Sequence, residues 1–304
     1  MKNYNILFFG TSKFAVPILE GLLESSVNIQ AVFTASPKLA NRGLKKMLSP
    51  IGKFAEEYQL PLEYPDLKDP KNINKIKELS PDIIFVIAYG YILPKEIIEI
   101  PKLGCFNFHG SILPKYRGAA PIQRAIIAGE KTTGVTVIKV DQGLDTGDVV
   151  LDSSIEISDE DTYQDLEKKL SQLSKNILPT FFEKLSANTE MIPQDNIQAT
   201  YAAKINKTEA RIDWQEDANL INRKIRAFNP NPGAWFEFGG KRIKVMGSKI
   251  INVSGRPGEI LTNDFTIACG DQAIQPTILK KEGKGLVTLS EFLKGNQVVP
   301  GTQL

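Results

Sequence analysis

The first 34 residues carry the pattern that most constrains how this chain can fold. Residues 5–9 form a short apolar run typical of a buried strand, and Gly10 then opens a break of small and polar residues. Residues 14–23 place apolar side chains at helical spacing, and residues 29–34 form a second apolar run. In a β-α-β unit of this kind the two strands lie parallel, because the helix returns the chain to the edge where it began. The sequence therefore predicts an α/β fold with a Rossmann-like, mostly parallel sheet and helices on both faces.

The same alternation of strands and helices continues to about residue 184. The turn at Gly10 lacks the full G-x-G-x-x-G pattern, so a dinucleotide site is not expected. Further strands are predicted at residues 61–64, 83–88, 103–106, 133–140 and 149–157, and further helices at 49–58, 72–79, 119–128 and 162–184. Ligands bind at the carboxyl ends of strands in such sheets, so the residues that follow these strands are the first candidates for a site.

The last third of the chain has a different pattern. Residues 186–209 show little apolar periodicity, which is typical of a linker. After a helix at 218–227, short strands separated by glycine turns are predicted at 235–238, 242–247, 258–261, 265–269 and 275–279. Many short strands of this kind indicate a small, OB-like β-barrel. We therefore predict a first domain at 1–188, a linker at 189–209 and a C-terminal barrel domain at 210–304.

Composition and charge exclude several classes of protein. A hydrophobic fraction of 42% and a charged fraction of 24% are those of an ordinary globular protein. No signal-peptide pattern or apolar run of membrane-spanning length is present, so we expect a cytoplasmic protein without a membrane partner. Two distant cysteines, Cys105 and Cys269, support neither a disulfide framework nor a zinc site.

The two parts of the chain differ in charge. Residues 1–199 carry 22 Lys and Arg against 25 Asp and Glu, a net charge of −3. Residues 200–304 carry 15 against 10, a net charge of +5. A basic C-terminal third suits a polyanionic partner, although an excess of this size also occurs by chance.

One histidine, His109, stands at the centre of the candidate chemistry. Its side chain can take or give a proton near neutral pH. Asn107 lies two residues earlier at the end of an apolar run, and residues two apart in a strand point to the same side. Asp145 lies in a loop rich in turn-forming residues, where a carboxylate can orient an imidazole and stabilise its protonated form. We expect these three side chains to share one cleft.

At these residues the chain resembles the folate-dependent formyltransferase superfamily. Its pattern is an Asn-x-His, a Ser-Leu-Leu-Pro-like loop and an Asp about 35 residues later, here Asn107, His109, Ser111-Ile112-Leu113-Pro114 and Asp145. The segment Arg117-Gly118-Ala119-Ala120-Pro121-Ile122-Gln123 and the run from Lys204 to Trp214 narrow the likeness to enzymes that formylate methionyl initiator tRNA. Several widely spaced matching elements are far more specific than one short motif.

The resemblance implies a reaction and its participants. The donor would be 10-formyltetrahydrofolate, the acceptor would be the α-amino group of methionyl initiator tRNA, and residues 1–188 would be the catalytic domain. Asn107 and His109 would stabilise the oxyanion of a tetrahedral intermediate, with Asp145 supporting His109. The reaction requires no metal, and we expect a monomer.

The resemblance also implies binding residues. Those expected at the folate are Ile87, Ala88, Tyr89, Gly90, Ile92, Ser111, Ile112, Leu113, Pro114, Val140 and Gly143. Those expected at the tRNA are Arg42, Lys45 and Lys46 in a polar, basic loop, and Lys204, Lys207, Arg211, Lys241 and Arg242 in the basic third. The family's loop reads P-A-G-R-G, whereas this chain has Leu39 and Asn41 at the proline and at the first glycine.

Three alternatives remain open at the level of sequence. The same Asn, His and Asp serve formyltransferases that act on sugar amines, and hydrolases that release formate from formyl-folate. A tRNA-binding module without activity would also suit the basic third, but it would not require intact Asn107, His109 and Asp145. Binding that weakens steeply with salt would favour a tRNA partner over a sugar amine.

Overall fold

The computed structural model of the chain describes residues 3–40 and 45–304. The strands are β1 (Asn5–Gly10), β2 (Asn28–Phe33), β3 (Lys38–Ala40), β4 (Lys45–Met47), β5 (Leu62–Glu63), β6 (Ile83–Ile87), β7 (Gly104–His109), β8 (Thr132–Lys139), β9 (Val149–Glu156), β10 (Ala234–Phe238), β11 (Lys241–Ile251), β12 (Ile267–Ala268), β13 (Ala273–Lys281) and β14 (Leu286–Thr288). The helices are α1 (Val16–Glu24), α2 (Pro50–Glu57), α3 (Pro70–Glu78), α4 (Lys95–Ile98), α5 (Pro121–Ala128), α6 (Tyr163–Asn176), α7 (Leu178–Ser186), α8 (Ala218–Phe228) and α9 (Leu289–Lys294).

In the described part of the chain, seven strands form one sheet in the order β5-β2-β1-β6-β7-β8-β9. The pairs from β5 to β7 are parallel, and β7 pairs with β8 in the antiparallel sense. The first β-α-β unit supplies β1, α1 and β2, as its apolar pattern predicts. The predicted Rossmann-like, mostly parallel sheet is therefore confirmed.

Alternate residues of the central strands face two different layers. Leu7, Ile84 and Cys105 belong to a buried cluster with Ile76 of α3 and Ile97 of α4. Their neighbours along the strands point the opposite way, because strand side chains alternate between faces. The ring of Phe85 lies 5.4 Å and the ring of Phe106 lies 4.9 Å, centroid to centroid, from the ring of Phe181 in α7. Helices thus cover both faces, and each enclosed aromatic side chain contributes on the order of 2 kcal/mol by burial.

The C-terminal strands form a second, antiparallel sheet. Its order is β10-β11-β13-β12, and β14 pairs with the other edge of β13. The register shifts twice along β11, between Val245 and Ser248, and such irregularities bend a strand. Aromatic rings of Phe236, Phe265 and Phe292 fill the inside of the curl. This curled sheet is the predicted small barrel, open on one side.

Contacts divide the described chain into two compact units that do not follow the sequence continuously. One comprises residues 1–118, 133–155 and 167–201, and the other comprises 119–132, 156–166 and 202–304. In the second unit, α5 packs on α8. The division into 1–188, 189–209 and 210–304 stays a prediction, while the compact units cut the chain at different places.

Three local expectations require correction. The single helix predicted over 162–184 is two helices, because Pro179 lacks the N–H that would continue α6 into α7. The flanks of the polar loop, predicted as irregular, pair as the ribbon β3–β4. Residues 258–261 make only isolated pairings, Glu259 with Gln303 and Ile260 with Ile267. Residues 186–209, predicted as a linker, include two short 3-10 turns, and the linker itself stays a prediction.

No helix within residues 3–40 and 45–304 is both long enough and apolar enough to cross a membrane.

Candidate active site

Asn107 and His109 lie at the carboxyl end of β7, in the middle of the sheet. The strand has the apolar residues Cys105, Phe106 and Phe108 buried, which fixes its register between β6 and β8. Asn107 is half-buried and His109 is the last residue of the strand. Their two-residue spacing places both side chains on the same side of the sheet.

Asp145 meets this pair from residues 141–148, here named the Asp145 loop. Its Oδ1 accepts a hydrogen bond from Asn107 Nδ2 at 3.3 Å, and its Oδ2 lies 3.6 Å from Nδ1 of His109. The backbone N–H of Gly118 donates to Oδ2 at 2.9 Å. The φ of Asp145 is +54°, a left-handed conformation that Asp tolerates better than most residues. The structure thus brings together Asn107, His109 and Asp145, here named the Asn–His–Asp cluster.

The imidazole of His109 is enclosed between two oxygen acceptors. The residue is 5% exposed, and its Nε2 lies 2.9 Å from the carbonyl oxygen of Tyr116. Its Nδ1 faces the Asp145 carboxylate. Both ring nitrogens therefore face oxygen atoms, and these two neighbours define the orientation of the ring.

The Asp145 loop is closely folded upon itself. Asp141 Oδ1 accepts hydrogen bonds from the backbone N–H of Gly143 at 2.9 Å and from Thr146 Oγ1 at 2.7 Å. A Cβ added at Gly147 would lie 1.7 Å from the carbonyl oxygen of Lys139, which no side chain can accommodate without moving the backbone. The loop conformation that presents Asp145 therefore requires glycine at position 147.

A cavity of about 310 Å³ opens beside the cluster. Asn107 and Asp145 lie at its polar side. Its other lining residues are Val86, Tyr91, Ile92, Leu93, Lys95, Ile98, Ile138, Val140, Asp141, Gln142, Gly143 and Leu144. A concave, mostly apolar space with a few polar groups at one side is the usual form of a small-molecule site.

The structure places the predicted folate residues in three positions. Ile92, Val140 and Gly143 line the cavity directly. Ile87 is the last residue of β6 and residues 88–90 follow that strand, with Ile87 and Tyr89 buried and Ala88 and Gly90 exposed. Ser111, Ile112, Leu113 and Pro114 lie outside the lining, in the loop after β7. There Thr136 Oγ1 donates to the carbonyl oxygen of Ser111 at 2.8 Å and accepts from the N–H of Leu113 at 3.0 Å.

Several cavity residues were not predicted from the sequence. They are Leu93, Lys95, Ile98 and Ile138. Three apolar side chains of the lining are exposed in the structure, since Ile92 is 95% exposed and Leu144 and Tyr91 are each 59% exposed. Apolar groups clustered at the mouth of a cleft mark a binding site more often than isolated ones do.

Two other titratable groups near the cavity are buried. Burial raises the pKa of the Cys105 thiol to about 12 and that of the Tyr89 phenol, helped by the neighbouring Tyr91, also to about 12. A thiol with such a pKa is hardly ionised at neutral pH and is a poor nucleophile. Among the residues that the structure describes, no group of three His, Cys, Asp or Glu side chains is arranged to hold a metal ion.

The predicted basic residues are distributed over separate surfaces. Arg42 and the side chain of Lys45 lie outside the described residues, and Lys46 is exposed in β4. Lys204, Lys207 and Arg242 line one cavity of about 600 Å³ in the second unit. Arg211 and Lys241 line a different cavity of about 1160 Å³ in the same unit.

Trp235 also lines the cavity of Lys204, Lys207 and Arg242, and two arginine side chains lie beside its ring. The guanidinium carbon of Arg242 lies 3.8 Å from the centre of the indole ring, and that of Arg211 lies 5.7 Å from it. Lys244 also lines the cavity and donates to the carbonyl oxygen of Pro232 at 2.6 Å. Cationic side chains held beside an aromatic ring form a surface that can meet phosphates and stacked bases.

Comparisons with known proteins match the chain to formyl transferase families. Residues 2–182 match the family described as Formyl transferase, and residues 204–297 match the family described as Formyl transferase, C-terminal domain. Among solved structures, methionyl-tRNA formyltransferase from Clostridium thermocellum superposes with a TM-score of 0.57 at 22% identity, covering 82% of this chain and 94% of that one. HypX from Aquifex aeolicus in complex with tetrahydrofolic acid superposes with a TM-score of 0.67 at 19% identity, covering 100% of this chain and 51% of that one.

These two structural likenesses concern the fold, since identity is low. The family is assigned from a relative with higher sequence identity. The methionyl-tRNA formyltransferase of Paramagnetospirillum magneticum is 39% identical over 302 residues, which span 98% of this chain and 99% of that protein. A match of this extent includes both the strand end at β7 and the C-terminal sheet. The chain is therefore an enzyme that belongs to the methionyl-tRNA formyltransferase family.

Proposed function

We propose that this enzyme transfers the formyl group of 10-formyltetrahydrofolate to the α-amino group of methionine on initiator tRNA, the step that prepares it for translation initiation. The observation that carries the proposal is the Asn–His–Asp cluster, assembled at the edge of an apolar cavity. The printed name of the Paramagnetospirillum relative supports the acceptor. The tetrahydrofolic acid bound by Aquifex HypX, a protein of the same fold, supports the donor.

The bond changes require little from the protein. The amine nitrogen attacks the formyl carbon, and a carbon–nitrogen bond forms as the formyl oxygen becomes an oxyanion. The bond from carbon to N10 of the folate then breaks, and the proton lost by the amine reaches N10. Side chains alone can stabilise the oxyanion of the intermediate and transfer the proton.

Asn107 is the proposed first donor to the oxyanion. One hydrogen of its Nδ2 is directed to Asp145 Oδ1, and the residue lines the cavity, so its second amide hydrogen is the one available to a bound formyl oxygen. A donor fixed in this way is worth about 3 kcal/mol in the transition state.

His109 is the proposed second donor and proton carrier. Its Nε2 is directed to the carbonyl oxygen of Tyr116 in the free protein, so we propose that the formyl oxygen replaces this acceptor. Such bonds commonly form only in the substrate complex. Asp145 supports the ring from the Nδ1 side, which keeps it oriented and stabilises its positive charge.

The first experiment measures formyl transfer from 10-formyltetrahydrofolate to methionine-charged initiator tRNA, with elongator tRNA and an amino-sugar nucleotide as parallel acceptors. We expect transfer to the initiator tRNA alone. Transfer only to the sugar, or formate release without an acceptor, would contradict the proposed acceptor while leaving the site intact.

His109→Ala should lower kcat by about 100-fold or more, because it removes a donor and a proton carrier together. Binding of initiator tRNA, measured separately, should remain near the wild-type value, and this binding is the control for folding. An unchanged kcat would remove His109 from the mechanism.

A further inference from the structure

Arg117 is a buried cation at the back of the Asn–His–Asp cluster. It is 2% exposed, although arginine is rarely enclosed without hydrogen-bond partners. Its Nε and Nη2 donate to Oε1 of Gln194 at 3.0 and 2.7 Å, and Nη2 also donates to Oδ1 of Asn196 at 2.9 Å. The guanidinium therefore fixes the orientation of the Gln194 amide, since only the amide oxygen can accept these bonds.

The other end of the same amide holds the Asp145 loop. Gln194 Nε2 donates to the carbonyl oxygen of Asp145 at 2.9 Å and to that of Gly147 at 2.7 Å. Both amide hydrogens therefore donate to the backbone of the loop, and the amide oxygen accepts from Arg117. Arg117 and Gln194 together form a polar bridge, here named the Arg117–Gln194 bridge, whose far end is the residue that orients His109.

Thr200, in the segment after Gln194, binds the backbone of Tyr116 and Arg117. The carbonyl oxygen of Thr200 accepts from the N–H of Arg117 at 2.8 Å, and Thr200 Oγ1 accepts from the N–H of Tyr116 at 2.8 Å. Tyr116 supplies the carbonyl oxygen that faces His109 Nε2, and Gly118 supplies the N–H bound by Asp145. Residues 194–200 therefore contact both backbone segments that position the imidazole and the carboxylate.

From these contacts we propose that Gln194 is a positioning residue, which sets the catalytic geometry by holding the Asp145 loop. The proposal rests on the function proposed above for Asp145. The φ of +54° at Asp145 adds to the value of this restraint, because the left-handed region is sparsely populated by residues other than glycine. A carboxylate displaced by about 1 Å would no longer orient His109, and misplacement on that scale can cost about 100-fold in rate.

The sharpest variant is Gln194→Glu, because it separates the two ends of the side chain. The glutamate still accepts from Arg117, so the buried cation keeps its partner. Its carboxylate has no hydrogen to donate and would face the carbonyl oxygens of Asp145 and Gly147. Gln172→Glu is the matched control, since Gln172 is exposed in α6 and its amide donates to Oδ1 of Asn176, away from the cluster.

The measurement is kcat for formyl transfer in four proteins besides wild type: Gln194→Glu, Gln172→Glu, Asp145→Asn and the double variant Asp145→Asn with Gln194→Glu. We expect Gln194→Glu to lower kcat by about 10- to 100-fold and Gln172→Glu to leave it unchanged. In the double variant kcat should match that of Asp145→Asn alone within about 3-fold, because Gln194 acts through the missing carboxylate. A residue with a merely structural role would give losses that multiply.

Each alternative result overturns a defined part of the proposal. Wild-type kcat in Gln194→Glu, or losses that multiply in the double variant, would overturn the positioning role while leaving Asp145 in place. Wild-type kcat in Asp145→Asn would overturn the function proposed for Asp145 and the positioning role with it. If circular dichroism shows that Gln194→Glu does not fold, Gln194→Ala replaces it with the same expected outcomes, since it removes the donors without burying a second charge.

Discussion

At the scale of single residues, the neighbourhood of β7 shows how burial decides which side chains can react. Cys105 lies two residues before Asn107 on the same strand, yet it is 1% exposed and its Sγ contacts the carbonyl oxygen of Ile98 at 3.5 Å. Burial raises the pKa of its thiol to about 12. The thiol therefore contributes to packing, and Asn107 and His109 are the polar side chains that the strand offers to the site.

We predict that neither cysteine of the native protein reacts with a thiol-directed disulfide reagent at pH 8. Burial also raises the pKa of Cys269 to about 12, so both thiols are protonated and shielded. Both should react fully in denaturant, which is the control for reagent and protein. Rapid labelling of Cys105 in the folded enzyme would show that the β7 packing opens readily.

At the scale of elements, α5 shows how one helix is fastened to its unit. Nη1 and Nη2 of Arg124 donate to the two carboxylate oxygens of Glu209 at 2.7 and 3.1 Å, and its Nε donates to the carbonyl oxygen of Ala203 at 3.1 Å. Glu209 also accepts from the N–H of Asn206 at 2.8 Å. These contacts tie α5 to residues 203–209, and a two-pronged pair of this kind is stronger than a single surface contact.

Glu209→Gln should lower the free energy of unfolding by about 1 kcal/mol at pH 7, a modest figure because the two side chains are 23% and 32% exposed. The hydrogen bond from Arg124 holds the pKa of Glu209 below its usual value of 4.5. The stabilisation is therefore complete above pH 4.5 and is lost as the pH falls through the folded-state pKa. Denaturant unfolding at several pH values tests this.

The matched control for that series is Glu63→Gln. Glu63 pairs with Lys75 at 2.6 Å, but the two side chains are 39% and 55% exposed. We expect a loss below about 0.5 kcal/mol at every pH. Equal losses in the free energy of unfolding from Glu63→Gln and Glu209→Gln would mean that the bidentate geometry of the Arg124–Glu209 pair adds no stability.

At the scale of the whole molecule, charge is divided unevenly along the chain. The net charge of +5 over residues 200–304 stands against −3 over residues 1–199. In the second unit, Lys204, Lys207, Arg242 and Lys244 converge on one cavity around Trp235. Binding of a polyanion releases counterions, so affinity falls steeply as salt rises.

If the acceptor is a tRNA, its KM should rise steeply between low and physiological salt, while the KM of the folate donor changes little. Arg242→Met should reduce the slope of log KM against log salt by about 1, because one phosphate contact is lost. Arg242→Lys keeps the charge and should keep the slope, which makes it the matched control. A KM for the acceptor that is independent of salt would contradict the tRNA interface.

Much of the fold could be predicted from local patterns. The apolar runs at β1, β2, β6 and β7 have the length and flanking turns of buried strands, and the structure confirms them. Errors arose where a local feature interrupts a longer pattern, as at Pro179 between α6 and α7. They also arose at residues 258–261, where pairing partners as distant as Gln303 decide the conformation.

The sequence by itself determined a strand beginning near residue 103 and the shared side of Asn107 and His109, because a two-residue spacing is a local property of an extended chain. Only the tertiary structure decided the distances of Asp145 from that pair, since its partner Asn107 lies 38 residues away. The same holds for Gln194, which lies 77 residues from Arg117 and inside a segment whose composition resembles a plain linker. Such contacts depend on how whole elements pack, and no local period records them.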